Sequence, residues 1–115
     1  MEKFMYLFRG GDTQTSSQSP EAMQAHMQKW IAWMDDLGKK GSLAGGEALQ
    51  QTGKQVSGNK KLVTDGPFIE AKESVGGYLV VQAKDIDDAV EISKGCPILE
   101  VNGRVEIRPV QKMDM

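Results

Sequence analysis

The segment VGGYLVVQA, residues 75 to 83, constrains the fold more than any other part of the chain. Its apolar residues at 78 to 81 are consecutive, so an extended backbone points them to both faces of a sheet, and this marks a central strand. The other elements must be arranged around it. Residues 3 to 9, KFMYLFR, are rich in aromatic and apolar side chains, stop at Gly10-Gly11-Asp12, and read as a first strand. The polar stretch DTQTSSQS, 12 to 19, is a connection.

Two segments carry a helical pattern. Ser19, Pro20 and Glu21 form a helix start, with a capping hydroxyl, a proline suited to the first turn and an early acid. Apolar residues then recur at Met23, Met27, Trp30, Met34 and Leu37, in steps of 4, 3, 4 and 3, which predicts one buried stripe. Gly38 meets the last turn and Gly41 ends it. Asp85 caps a second helix over about 86 to 94 whose core side is Ile86, Ala89, Val90 and Ser93; Gly95 and Pro97 stop it. Between the helices, SLAGGEALQQTGKQVSGNKKLV, 42 to 63, holds short strand-like pieces punctuated by glycine, as in a hairpin. At the end, VNGRVEIRPV, 101 to 110, alternates Val105, Ile107 and Pro109 against Arg104, Glu106 and Arg108, a final strand.

The order strand, helix, hairpin, strand, helix, strand fits a single α+β domain over 1–115. It predicts a ferredoxin-like two-layer sandwich, one antiparallel sheet with both helices on one face. The other face is then open. With Phe4, Tyr6, Phe8, Val80 and Val105 available to line such faces, sheet-to-sheet pairing into a homodimer is expected.

Composition narrows the function. Fourteen Lys and Arg against sixteen Asp and Glu give a net charge of −2, which argues against direct nucleic-acid binding. No apolar run approaches the roughly 18 residues of a membrane span, so no membrane contact is expected. The first residues lack the long apolar core and cleavage site of a signal peptide. Cys96 is the only cysteine, which excludes an intrachain disulfide and suits a reducing cytoplasm. One histidine and one cysteine cannot complete a four-ligand zinc site without carboxylates, and neither a metal nor a cofactor is expected.

Three groups of residues invite chemistry. In the run from Asp65 to Glu73, Asp65, Glu70 and Glu73 are acceptors or bases beside Phe68, and Lys72 is a cation for an anionic substrate; closely spaced carboxylates raise one another's pKa. Equally, Asp65 starts an Asx-turn and the remaining charges are a solvated strand entry. On the first helix, His26, Trp30 and Trp33 can share a side. Trp30 lies within the apolar stripe, as core or as pocket wall, and Trp33 on its flank can stack on a planar ligand or make an edge contact. His26 is read as a partly exposed helix residue, with general base or haem ligand as the sharper alternative. Arg9 and Arg108 can hold a carboxylate or phosphate, or pair with Glu106 or Asp12. Cys96 lacks an adjacent base and reads as a small buried residue. Gly45-Gly46 and Gly76-Gly77 match no phosphate-binding loop; Gly76-Gly77 suits a bulge or a close backbone approach.

The run VTDGPFIEAKESVGGY closely resembles the signature of the YCII-related, or DGPF, family. SPEAM at the first helix, GSLAGGEAL after it, and GCPIL with VEIRPV at the end are similar too, so the resemblance covers about residues 4 to 110. It implies a ferredoxin-like fold of the dimeric α/β-barrel superfamily and a homodimer. Certain YCII-like relatives are thought to be enzymes using a His and an Asp, and one branch eliminates chloride from a chlorinated aromatic. The positions matching that pair are Trp30 and Cys96 here. On this ground a small-molecule-binding or regulatory module is ranked ahead of a cofactor-free lyase or hydrolase-like enzyme. In that enzyme Asp65 or Glu70 would be the base, Lys72 the anion clamp and Trp33 the stacking wall.

Overall fold

The computed structural model describes residues 1–11, 19–50, 52–66 and 75–112. In chain order the elements are β1 (Glu2–Gly10), α1 (Pro20–Lys39), β2 (Leu43–Ala48), β3 (Gly53–Ser57), β4 (Leu62–Gly66), β5 (Val75–Ala83), α2 (Ile86–Ser93), a 3-10 turn (Pro97–Val101) and β6 (Gly103–Pro109). Four strands form an antiparallel sheet in the order β2-β5-β1-β6, while β3 and β4 pair only with each other. Removing the β3–β4 hairpin leaves the ferredoxin-like arrangement, with β1 and β5 central and both helices on one face.

The register shows why. Phe4, Tyr6 and Phe8 of β1 stand opposite Val81, Leu79 and Gly77 of β5, and opposite Pro109, Ile107 and Val105 of β6. These alternate residues point to one face, where Leu37 of α1 and Ala89 of α2 close the core. Trp30, Trp33 and Met34 of α1 and Ile92 of α2 pack around it. The opposite face shows Met5 beside Val80, Leu7 beside Tyr78, and the charged side of β6. Phe4, Tyr6, Phe8 and Val105 therefore line the helix-covered face, and of the five residues expected for the open face only Val80 stands there.

Glycine fixes the β2–β5 and β1–β5 fits. A Cβ at Gly77 would come within 2.9 Å of the Glu47 carbonyl oxygen, so the strands could not approach as they do. The register between β1 and β5 slips at Gly76, Phe8 facing Gly77 and Arg9 facing Val75, which is the bulge that the glycine pair suggested.

The helix caps follow the chemistry of their residues. The Ser19 hydroxyl accepts from the Ala22 N–H at 3.1 Å. At α2, the Asp85 carboxylate accepts from the Asp88 N–H at 2.8 Å, and the Asp88 carboxylate accepts from the Lys84 N–H at 2.9 Å. Two stretches depart from the helical-period reading. Met23 and Met27 are exposed, while Trp30, Trp33, Met34 and Leu37 further along α1 are the residues that meet the core. Ile86 is exposed as well, at the very start of α2, and Ile92 takes its place against the core. The last strand begins later than expected, since Pro97–Val101 forms the 3-10 turn and Asn102 takes the left-handed conformation before β6.

Candidate functional site

The space between α1 and α2 forms a cleft of about 420 Å3 over the edge of the core. From α1 it is lined by Trp33, Asp36, Leu37 and Lys40; from α2 and its exit by Asp88, Glu91, Ile92 and Gly95; Ser42 lies at its floor. Each helix thus contributes the positions i, i+3, i+4 and i+7, one continuous face apiece. The apolar part is the indole of Trp33 with Leu37 and Ile92. The polar part is three carboxylates and one lysine.

Aromatic packing holds the wall in place. Trp33 stacks on Tyr6 with ring centroids 6.3 Å apart and planes 16° from parallel, and it meets Trp30 edge to face at 5.9 Å. Phe8 meets Trp30 edge to face at 5.1 Å. On the cleft side, a Cβ at Gly95 would fall 3.1 Å from Trp33 Nε1, so the absence of a side chain there leaves the indole its position. Tyr6 itself is fully buried and donates its hydroxyl to the Ala89 carbonyl of α2. Burial foremost, then the nearby Asp88 carboxylate and Cys96, pushes the Tyr6 hydroxyl well above the usual phenol range. Cys96 lies close by; burial pushes its thiol up to about 11, partly offset by a backbone hydrogen bond from Ile98. A thiol pushed up in this way has little of the thiolate that acts as a nucleophile.

The carboxylates at the rim are already engaged. Asp36 pairs with Lys40 at 3.1 Å and Glu91 with Lys94 at 2.8 Å, while Asp88 holds the Lys84 N–H. A carboxylate accepts about four hydrogen bonds, so capacity remains for a ligand donor at each.

Of the described residues singled out in the sequence, His26, Trp30 and Trp33 come together on α1, while Arg9 and Asp65 lie elsewhere. Trp33 lines the cleft, and Trp30 stands behind it in the aromatic cluster. Trp30 Nε1 donates to His26 Nε2 at 3.0 Å. Because an indole N–H can only donate, the neutral imidazole must carry its proton on Nδ1. While this bond holds, His26 offers an N–H rather than the lone pair that a base or a haem ligand needs. Arg9 is on the opposite face of the sheet, its Nε donating to Glu106 at 2.9 Å. Asp65 lies on β4, 83% exposed at its side chain and paired with Lys54 at 2.7 Å, away from the cleft. Phe68, Glu70, Lys72 and Glu73 lie outside the described residues. Among the described residues, no group of three His, Cys, Asp or Glu side chains converges as a metal site would require.

Sequence reasoning missed Asp36, Lys40, Asp88 and Glu91. The signal was present, since polar residues recur at helical spacing on the flank of both apolar stripes. Nothing in the order of residues, however, showed that the two flanks face each other.

Comparison with known proteins places the chain. The model of the YCII-related domain matches residues 4–114, nearly the whole length. The chain belongs to the YCII-related domain family. No curated protein matches it. Among solved structures, this YCII-related domain is similar to 5-chloro-2-hydroxyhydroquinone dehydrochlorinase from Burkholderia phenoliruptrix AC1100, in complex with 2,5-dihydroxybenzoquinone. The identity is 13%, the TM-score 0.52, and the match covers 95% of this chain and 93% of that one. At that identity the likeness is one of fold, and it agrees with the α+β ferredoxin-like architecture described above.

Proposed function

We propose that this YCII-related domain is a homodimeric small-molecule-binding module whose ligand occupies the α1–α2 cleft. The single observation that carries the reading is the cleft itself, within the roughly 300–1,000 Å3 of small-molecule sites, with an aromatic wall fixed from behind. Its charge favours one class of ligand. Three carboxylates against Lys40 in the lining and Lys94 on Glu91 leave the cleft net acidic, which suits a planar apolar body carrying an amino or other cationic group, the body against Trp33 and the cation beside Asp88 and the remaining acceptor capacity of Glu91. The dimer reading is supported by the open sheet face, where Met5, Leu7, Tyr78 and Val80 are neighbours in register.

Tryptophan fluorescence tests the ligand class. In a Trp30→Phe background, where Trp33 is the remaining indole, arylalkylamines should change the emission and the matching arylalkyl carboxylates should not. Changing Asp88→Asn and Glu91→Gln together should weaken the amines several-fold, the order of magnitude of two partly exposed charge contacts. Equal response to amines and carboxylates, or indifference to the double change, removes the cleft as the site.

A further inference from the structure

Two serines among the described residues are buried, Ser42 and Ser93, and only one has its hydroxyl engaged. Ser93 donates its hydroxyl to the Val90 carbonyl at 2.7 Å. Ser42 is 8% exposed, yet among the described residues its hydroxyl bonds no protein group. No polar side-chain atom sealed from solvent lacks a partner among the described residues, so the Ser42 oxygen must open onto the cleft whose floor it forms. A hydroxyl offers one donor and two lone pairs, and leaving them unmade in an interior is costly.

The backbone fixes Ser42 at that floor. Gly41 takes the left-handed conformation that ends α1, at φ 73°. The Ser42 N–H then donates to the Leu37 carbonyl at 2.9 Å, and the Ser42 carbonyl accepts from the Gln82 N–H at 2.7 Å. Two residues further on, the Lys84 N–H donates to the Asp88 carboxylate at 2.9 Å. Amides two residues apart along a strand face the same edge, roughly 7 Å from each other. Ser42 and the Asp88 carboxylate are thereby held at one end of the cleft. Trp33 and Gly95 meet about two helical turns away, at the other end. Lys40 bonds Asp36 at 3.1 Å with its side chain 67% exposed, so its charge stands at the outer rim.

We infer that the Ser42 hydroxyl accepts an N–H of a cationic ligand and makes the cleft select primary ammonium groups over fully methylated ones, an inference that rests on the α1–α2 cleft being the ligand site. A primary ammonium spreads three N–H donors, and Asp88 and Ser42 offer acceptors at the same end of the cleft. The carboxylate attracts the charge itself, and that attraction needs no donor, so it serves a quaternary ammonium as well. The hydroxyl carries no net charge, and its contribution appears only when the ligand brings an N–H. Under a trimethylammonium group the Ser42 oxygen is covered and left without a partner. A site arranged to hydrogen-bond its ligand rejects the analogue that lacks the donor for this reason. The aromatic body along Trp33 is indifferent to the exchange.

Trp33 emission in the full chain carrying Trp30→Phe tests the selectivity, with phenethylamine and its N,N,N-trimethyl derivative as probes, both cationic at neutral pH. The primary amine should bind about tenfold more tightly, the scale of one hydrogen bond to a charged group. Adding Ser42→Ala should bring the two affinities together by weakening the primary amine alone. Ser42→Thr, which keeps the hydroxyl, should keep the order. Equal affinity for the two amines with Ser42 in place overturns the inference while leaving the cleft as the ligand site, and needs no change at Ser42. A Ser42→Ala protein that weakens both amines alike, or neither, also overturns it, since Ser42 is then a structural support or a bystander. If neither amine alters the emission, the cleft reading fails and the role of Ser42 falls with it.

Discussion

Beneath α2 the Tyr6 hydroxyl reaches the Ala89 carbonyl, and its ring supports the Trp33 wall of the cleft. One residue thus joins the core to the site. Tyr6→Phe keeps the ring and removes the hydroxyl, so it should lower stability by about 0.5–1.5 kcal/mol, read as a reduced urea midpoint, and leave the Trp33 emission nearly unchanged. Gly95→Ala has the opposite signature. The new methyl, 3.1 Å from Trp33 Nε1, must displace the indole edge, so the emission should shift and arylalkylamine binding should fall with little loss of stability. A Gly95→Ala protein with native emission and binding would show that the wall can yield. Neither residue stood out in the sequence, because a tyrosine in a strand and a glycine after a helix have ordinary uses.

At the scale of elements, local chemistry was the most readable part. Ser19 and Asp85 cap the helices they were expected to cap, and β6 turns Val105 and Ile107 to the core, although Pro109 at its end is exposed and Glu106 is half-buried. Asp85→Ala should cost about 1 kcal/mol and fray the start of α2, seen as faster exchange of the Asp88 amide. Loss of that cap also frees the Asp88 and Glu91 side of the cleft to move, so ligand binding should weaken with it. What periodicity could not supply was the far side of each stripe. Met23 and Met27 follow the same spacing as Trp30 and Leu37, yet only the latter pair packs in or against the core. A period reports which residues share a face; it does not report what stands opposite. For the same reason the stretch 42–63 read as one hairpin, whereas Leu43–Ala48 joins the main sheet as an edge strand and the hairpin is made by Gly53–Ser57 with Leu62–Gly66.

The whole molecule is thin, 48 × 46 × 18 Å, two layers with an arm. Its core contains two protonated groups that water would otherwise titrate, and this sets its response to alkali. Both Tyr6 and Cys96 keep their protons to higher pH when folded than when unfolded. Above the ordinary thiol value of 9.0 the native state therefore binds more protons than the unfolded chain, and stability must fall as pH rises. The thiol contributes between about pH 9 and 11, roughly 2–3 kcal/mol in all, and the phenol from 10.0 upward. Urea midpoints should be level up to pH 8 and decline beyond 9; in Cys96→Ala the decline should start about one unit later. A midpoint unchanged from pH 8 to 11 would contradict the burial of both groups.

Cys96 has a use that follows from its place alone. It is the one thiol in the chain, it is 2% exposed, and it sits where the last turn of α2 meets the 3-10 turn under the sheet. An alkylating reagent can reach it only in moments when these layers separate. The rate at which the protein takes up that label is then a clock of its own breathing, readable by mass in a mixture and without any introduced probe. A ligand that braces the two helices should slow this clock even where it changes no spectrum.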